Sequence, residues 1–375
     1  MQSATGLIGR RPERERLASL LRALEDGRGG ALCVVGPPGA GKSRLLDALR
    51  DDAQGLVDVH RAAPVQAEHP LAFAALADIV SPLLATDRAL PETERTALHR
   101  ALDGEGDLEP GALSILRAVV GLLDHASRER PQLVLVDDAH ALDLASLPAI
   151  GFLARRAGLR AVAVVLASRP EGDALAELES IPRLTLGDLD PAESRELLVA
   201  HGCGPAVARA VAAELGGNPL ALTEGSGALS PAEREGRAPL PDPLPVGARL
   251  EQTYGRRCSA LPDDAQHALL VTACATTSAA GPIADAVATG IGHGGAASTD
   301  AGATAIAARP DEDDRTPTPA VLDEVLAPAE EAGLVTLTPG HVRFVHPLMR
   351  QGVLRFAAPA DRRRAHAALA DAVPG

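Results

Sequence analysis

Aromatic side chains are almost missing from this chain of 375 residues, which has no tryptophan, one tyrosine and four phenylalanines. That scarcity excludes a platform on which the bases of a single strand stack. Positive charge is also short: 36 Lys and Arg stand against 50 Asp and Glu, a formal net charge of −14. A nucleic-acid surface spread over the chain is thereby excluded, because neutralising phosphates takes clustered cations. The basic run Arg362-Arg363-Arg364 reads as a solvated helix face. The four cysteines, at 33, 203, 258 and 274, form no CxxC pair and sit in apolar segments, so they read as small core residues and neither disulfides nor zinc ligands. No apolar run approaches the ~20 residues of a membrane span. Met1 to Arg11 lacks the apolar centre of a secretion signal, so a cytoplasmic setting without a membrane partner is expected.

What is present is apolar content of 46% over a length that suits two or three domains. Gly36-Pro37-Pro38-Gly39-Ala40-Gly41-Lys42-Ser43 is a complete phosphate-binding loop between an apolar run, Ala31 to Val35, and a helical pattern carried by Leu45, Leu46, Ala48 and Leu49. Glycines there let successive backbone N–H groups face phosphates, and the helix presents its positive end to the same anion. Lys42 is expected at the β- and γ-phosphates, the Ser43 hydroxyl on Mg²⁺, and Arg44 among the nucleotide contacts. Ahead of the loop, Pro12 to Leu24 reads as a helix through Leu17, Leu20, Leu21 and Leu24.

Leu56 to Val59 reads as a strand, with two or three helices between Leu71 and Asp124. Leu133-Val134-Leu135-Val136 is a continuous apolar run ending in Asp137-Asp138, the pattern of a strand buried on both faces with acids at its carboxyl end. Ala161 to Ala167, followed by Ser168-Arg169-Pro170, and Arg183 to Leu186 are further strands. Strands alternating with helices predict an α/β fold, a P-loop NTPase with a parallel sheet flanked by helices, over 1–188. A small helical domain follows at 189–229, then a proline-rich linker at 230–246. Residues 247–358 form a second module whose helices and hairpin, Leu334 to Leu337 and His341 to Val345 around Thr338-Pro339-Gly340, suggest a winged helix. Within it 276–319, rich in Ala, Gly, Thr, Asp and Pro, reads mostly as a long loop, the alternative being a poorly patterned helix pair around Ile283 to Val287.

Asp137 is expected to hold Mg²⁺ opposite the phosphate loop. Asp138 either orients the attacking water or caps the next helix, and it is one methylene shorter than the Glu of fast motor ATPases, so slow hydrolysis is expected. Arg169 either senses the γ-phosphate or pairs with Glu171. His140 serves packing, helix start or chemistry.

Leu7-Ile8-Gly9-Arg10, the phosphate loop, Val136-Asp137-Asp138-Ala139-His140 with Asp143 and Ser146, Ser168-Arg169-Pro170, Gly217-Asn218-Pro219-Leu220 and Phe344-Val345-His346-Pro347-Leu348 occur in this order. In that order they resemble the N-terminal part of the large ATP-binding LuxR-type transcriptional regulators, in the STAND branch of AAA-like P-loop ATPases. The resemblance implies ATP or ADP with Mg²⁺, an adenine pocket lined by Ile8, Gly9 and Arg10, and closure over base and ribose by Gly217-Asn218-Pro219. It also implies contact of His346 with the β-phosphate of ADP and self-association in the ATP state. Pro219 otherwise simply starts a helix, and His346 otherwise packs after a strand. Ala141 stands where the family often has Trp, and the 276–319 stretch departs from a compact winged helix. Such regulators continue into helical repeats, which 359–375 would begin, and DNA is expected as a partner only through a C-terminal region absent from this chain. A stand-alone AAA-like ATPase, or the ATPase module of a cyclase- or kinase-type signalling enzyme, is the alternative.

Overall fold

The structure, a computed structural model, describes residues 7–65, 67, 69–104, 108–170, 176–245, 257–291 and 319–372. Two compact units divide the chain, Met1–Leu189 and Asp190–Gly375.

The first unit runs α1 (Arg11–Glu25), β1 (Gly30–Val35), α2 (Lys42–Ala53), β2 (Asp58–Ala62), α3 (Ala74–Val80), α4 (Glu92–Leu102), α5 (Leu108–Ser127), β3 (Gln132–Val136), α6 (Ser146–Arg156), β4 (Val162–Ser168) and β5 (Arg183–Thr185). Its sheet has the order β2-β3-β4-β1-β5, and every neighbouring pair is parallel. This is the P-loop NTPase sheet. Helices cover both faces, as parallel strands require. Alternation along the strands decides which residue meets which layer. Leu32, Val34, Leu133, Leu135 and Val165 pack against Leu17, Leu21 and Leu24 of α1 and Leu45, Leu46 and Leu49 of α2. Cys33, Val35, Val134, Val136 and Leu166 pack on the other side, against Leu76, Ile79, Leu122, Leu123 and Ile150. Burial pushes the Cys33 thiol up to about 11, so it behaves as a small apolar core group.

The register sets Val35 beside Ser168 and Val136 beside Leu166. The carboxyl ends of β1, β3 and β4 therefore lie along one edge, where open parallel sheets bind ligands. Asp137 follows Leu135 by two positions and so falls on the α2 side of that edge.

Strand β2 begins at Asp58 and runs to Ala62, later than the expected Leu56 to Val59. Pairing with β3 sets its span, with Val59 opposite Leu133 and Ala62 opposite Val136, while Leu56 lies exposed outside it.

In the second unit come α7 (Pro191–Ala200), α8 (Pro205–Leu215), α9 (Pro219–Gly227), α10 (Pro231–Arg234), α11 (Asp263–Cys274), α12 (Ala280–Ile291), α13 (Pro319–Glu331), β6 (Val335–Thr338), β7 (His341–Phe344), α14 (Pro347–Phe356) and α15 (Pro359–Ala372). Proline opens α7, α8, α9, α10 and α14, where its missing N–H costs nothing and its fixed φ suits the first turn. Strands β6 and β7 form an antiparallel hairpin closed at Gly340, whose φ of 77° favours glycine. The stretch 276–319 opens with a helix where the alternative reading placed one, around Ile283 to Val287: Ala280–Ile291 is helical and buries Ile283, Ala284, Ala286 and Val287. Alanines carry half of that face, which hides its period; 292–318 lie outside the described residues. The expected linker at 230–246 opens with a helical turn, α10, fixed by reciprocal Ser230 and Glu233 capping bonds.

One buried carboxylate organises the loops around the sheet edge. Asp143, 2% exposed, accepts from the N–H groups of Phe73 (2.9 Å), Ala75 (3.2 Å), Ala145 (3.2 Å) and Ser146 (2.8 Å). The Ser146 hydroxyl accepts from Leu76 N–H at 3.0 Å. A negative charge thus joins the N-terminal ends of α3 and α6, where orphan donors and the helix dipole favour it. Asp143→Ala should cost about 3 kcal/mol or more, because charged bonds are lost and buried donors are stranded. Urea denaturation of the whole chain checks this; a loss below about 1 kcal/mol would mean that the donors find other partners.

Candidate functional site

The turn from β1 into α2 is built on glycines that nothing larger replaces. A Cβ on Gly36 would lie 2.8 Å from the Leu186 carbonyl oxygen, and Gly39 and Gly41 hold φ of 80° and 93°. Gly41 is the N-cap of α2 and Lys42 its first residue, so the loop's N–H groups and the helix end converge on one point. Lys42 is buried and donates from Nζ to the carbonyls of Gly36 at 2.7 Å and Pro37 at 3.0 Å. Its ammonium lies folded along the loop, on the elements a phosphate would share.

Ser43, one residue on, faces β3. Its hydroxyl donates to Asp137 Oδ1 at 3.0 Å, and Oδ1 also accepts from Asp138 N–H at 3.1 Å. The other oxygen, Oδ2, accepts from Arg61 of β2 at 3.1 Å. Arg61 in turn donates to Asp47 of α2 at 2.6 Å. Although burial works against its charge, the Asp47 and Asp137 partners hold the guanidinium above its ordinary pKa. A hydroxyl and a carboxylate oxygen in contact at the end of a phosphate loop are the hard donors Mg²⁺ takes, and few enough to leave room for nucleotide oxygens and water. Ser43 and Asp137 therefore fit Mg²⁺.

Asp138 adopts left-handed φ 49°, ψ 48°, and its side chain is 51% exposed. It stands as N-cap of the short 3₁₀ turn Ala139–Ala141, but its carboxylate makes no cap bond there. The capping alternative thus fails and the carboxylate stays available at the edge. His140 Nδ1 lies 3.8 Å from Asp138 Oδ1 and, though buried, makes no hydrogen bond. Burial, then the charge of Arg169, pushes the imidazole below its ordinary value and outweighs the pull of Asp138. Arg169 is exposed just beyond β4, close enough to act on His140; Glu171, its alternative partner, lies outside the described residues. The adjoining Ser168 is fully buried with an unbonded hydroxyl.

Arg10, expected at the adenine, is tied to the phosphate loop. It is buried, left-handed at φ 59°, and its guanidinium donates to the Ala40 carbonyl of the phosphate loop at 3.2 Å, to Glu13 at 3.2 Å and to the Gly187 carbonyl. These contacts make it a strut between the segment holding Ile8 and Gly9, the phosphate loop and the exit of β5. Sequence reasoning named Arg10 through its motif but not this bracing, and it missed Arg61 and Asp47, which no local motif marks.

In the second unit Pro219 is the first residue of α9, and the Asn218 side chain accepts from the N–H groups of Leu220 (3.1 Å) and Ala221 (3.3 Å). The helix-start explanation of Pro219 is thus satisfied in full. His346 is the N-cap of α14, its Nδ1 accepting from Leu348 N–H at 3.1 Å. An accepting Nδ1 leaves the proton of a neutral ring on Nε2. That end of the ring faces the preceding motif: a Cβ on Gly216, whose φ is 73°, would lie 3.2 Å from Cε1 and 3.5 Å from Nε2. His346 and Gly217-Asn218-Pro219 are neighbours within this unit.

Sheet, phosphate loop, Ser43 and Asp137 together define the first unit as a P-loop NTPase. Residues 6–165 match the family described as the AAA ATPase domain, a match that supports nucleotide binding by this region. No curated protein matches the chain. Among solved structures, the chain is similar to a Walker-type ATPase of Pyrococcus abyssi at 15% identity, covering 93% of this chain and 96% of that one, with a TM-score of 0.49. It is similar to a signal transduction ATPase with numerous domains (STAND) carrying a tetratricopeptide-repeat sensor, from Pyrococcus horikoshii, at 12% identity and TM-score 0.40, covering 96% of this chain and 45% of that one. A third likeness is to Cdc6p from Pyrobaculum aerophilum, at 13% identity and TM-score 0.41, covering 94% of this chain and 97% of that one. No helix among the described residues is long and apolar enough to cross a membrane.

The His140 shift has a sign that can be measured. The unfolded imidazole titrates near its ordinary 6.5 and the folded one lower, so between the two the unfolded chain binds more protons. Stability from this residue is complete above pH 6.5 and is lost as pH falls toward the folded value. His140→Asn should flatten stability against pH below 6.5, leaving the part contributed in the same direction by half-buried His267. An unchanged slope would contradict the assignment.

Proposed function

We propose that the chain is a nucleotide-dependent regulatory switch with slow ATPase activity, the STAND-type module of a LuxR-family transcriptional regulator. The observation that carries its nucleotide chemistry is the 3.0 Å bond between Ser43 and Asp137, which brings together the two groups that would face the metal. Lys42 binds the β- and γ-phosphates by leaving the carbonyls of Gly36 and Pro37. The backbone of Pro38, Gly39, Ala40 and Gly41 surrounds the phosphates, and Arg44 adds a charge at the same end of α2. Ser43 and Asp137 would hold Mg²⁺, which when bound would supply neutralisation of phosphate charge. Asp138 orients the attacking water and takes its proton as the β–γ bridging bond breaks and ADP and phosphate form. Its short, half-exposed side chain favours a slow step. Arg169 answers the γ-phosphate from beyond β4.

The switching half follows from the resemblance in motif order. Ile8 and Gly9 line the adenine, with Arg10 bracing the loop behind them, and Pro219 closes on base and ribose. His346 meets the β-phosphate of ADP in a closed state; its support is the ring's place against Gly216, with Nε2 carrying the proton. Helices α11 to α14 with the β6–β7 hairpin serve as the winged-helix part. Exchange of ADP for ATP opens the module and permits self-association, because nucleotides shift such an equilibrium only through contacts that differ between states.

Protein purified without added nucleotide and then denatured should release ADP, identified by ion-exchange chromatography. Recovery of an empty protein that binds ATP only weakly would contradict a tightly closed ADP state. His346→Ala should enlarge the ADP-bound particle in light scattering, toward the size of the ATP state. An unchanged size would remove His346 from the closure.

A further inference from the structure

We propose that Arg61 is the positioning residue that fixes the Asp137 carboxylate for metal-nucleotide binding, and that Asp47 holds Arg61 in place. The inference deepens the nucleotide chemistry above and rests on Asp137 holding Mg²⁺. Three observations carry it. First, the two oxygens of Asp137 are divided between partners, Oδ1 to Ser43 Oγ and Asp138 N–H and Oδ2 to Arg61, so the carboxylate cannot rotate without breaking a bond on each side. Second, the far arm of the Arg61 fork ends on Asp47 Oδ1 at 2.6 Å. Asp47 lies four residues after Ser43 and therefore one turn along the same face of α2. Hydroxyl, carboxylate, guanidinium and second carboxylate form a closed ring through α2, β2 and β3. Third, Arg61 stands opposite Leu135 in the parallel register, two residues short of Asp137. That offset lets one guanidinium span both acids, a planar two-ended contact that a lysine ammonium does not reproduce.

Charge alone does not account for the arrangement. Arg61 is 29% exposed and Asp47 35%, so solvent screens their Coulomb attraction and its worth as an ion pair is small. Asp47 also has Arg50 Nη1 at 3.5 Å, and Arg50 pairs more closely with Asp51 at 3.0 Å, so three acids surround the two arginines and no positive excess builds up. A cation beside a metal-binding carboxylate would weaken metal affinity by repulsion if its charge dominated. With that charge shared by Asp47, orientation of the carboxylate dominates, and outer-shell partners of this kind change metal affinity by about 10–100-fold.

The test titrates Mg²⁺ into the full chain with a fluorescent ADP analogue and reads the Mg²⁺ concentration for half-maximal enhancement, beside the affinity without Mg²⁺. Arg61→Ala should raise that concentration about 10-fold or more, with Mg²⁺-free affinity moving less than about twofold. Asp47→Ala, on a partly exposed helix position that suits alanine, should move it in the same direction by less, and keeps the test available should Arg61→Ala fail to fold. Arg61→Lys should restore little of the loss. A half-saturation that is unchanged or lower in both Arg61→Ala and Asp47→Ala overturns the proposal. Asp137→Ala separates the two levels. Loss of the Mg²⁺ dependence in Asp137→Ala with no shift in the other variants sinks only the role of Arg61. A dependence that survives in Asp137→Ala sinks the metal assignment and the proposal with it.

Discussion

Everything at the sheet edge turns on the contact between the Ser43 hydroxyl and the Asp137 carboxylate, two groups 94 positions apart in the chain. Ser43 reaches it because Gly39 and Gly41 accept left-handed backbone and start α2 directly under the loop. Asp137 reaches it because β3, buried along its whole length, lies in register with β4, which lies in register with β1. A one-residue slip of β3 would send Asp137 to the opposite face of the sheet. The apolar cores above and below the sheet are therefore what hold two polar groups at hydrogen-bond distance.

Backbone strain gathers at the same edge. Among the described residues the non-glycine positions with positive φ are Arg10, Phe73 and Asp138, each costing of order 1 kcal/mol or more. Each has a side chain from this edge at hand. Arg10 spends its guanidinium on the Ala40 and Gly187 carbonyls, Phe73 N–H rests on Asp143, and Asp138 N–H rests on Asp137. Polar bonds buried beside the core thus hold bends that the residues would not choose alone, and the bends aim Asp138 and the start of α3 where they stand.

The parts legible from sequence share a physical reason: their signals are local. A glycine-rich turn between a strand and a helix, or an apolar run ending in two acids, declares itself within eight residues. So did β1, β3, β4, the phosphate loop, Asp137 and the β6–β7 hairpin. Arg61 was not legible because one arginine in Asp58–Ala62 looks like the solvated side of an edge strand; its meaning arises from register with β3. Arg10 was named from its motif, but the bonds of its guanidinium to backbone carbonyls of its own unit follow from packing and not from local sequence. Helix α12 was legible only as an alternative, because alanines share its buried face with Ile283 and Val287. His346 could be placed after the hairpin from its sequence, but its double use, capping α14 through Nδ1 and resting the Cε1 side of its ring near Gly216, arises from tertiary packing.

The central claim is that Ser43 and Asp137 act as one unit in binding Mg²⁺ and nucleotide. A double-mutant cycle of Ser43→Ala and Asp137→Ala on Mg²⁺-ATP affinity, measured by titration calorimetry on the full chain, tests it most directly. Coupling of about 1 kcal/mol or more between the two substitutions is predicted, because either one alone dismantles the shared site. Losses that add to within about 0.5 kcal/mol would show two independent residues and contradict the account.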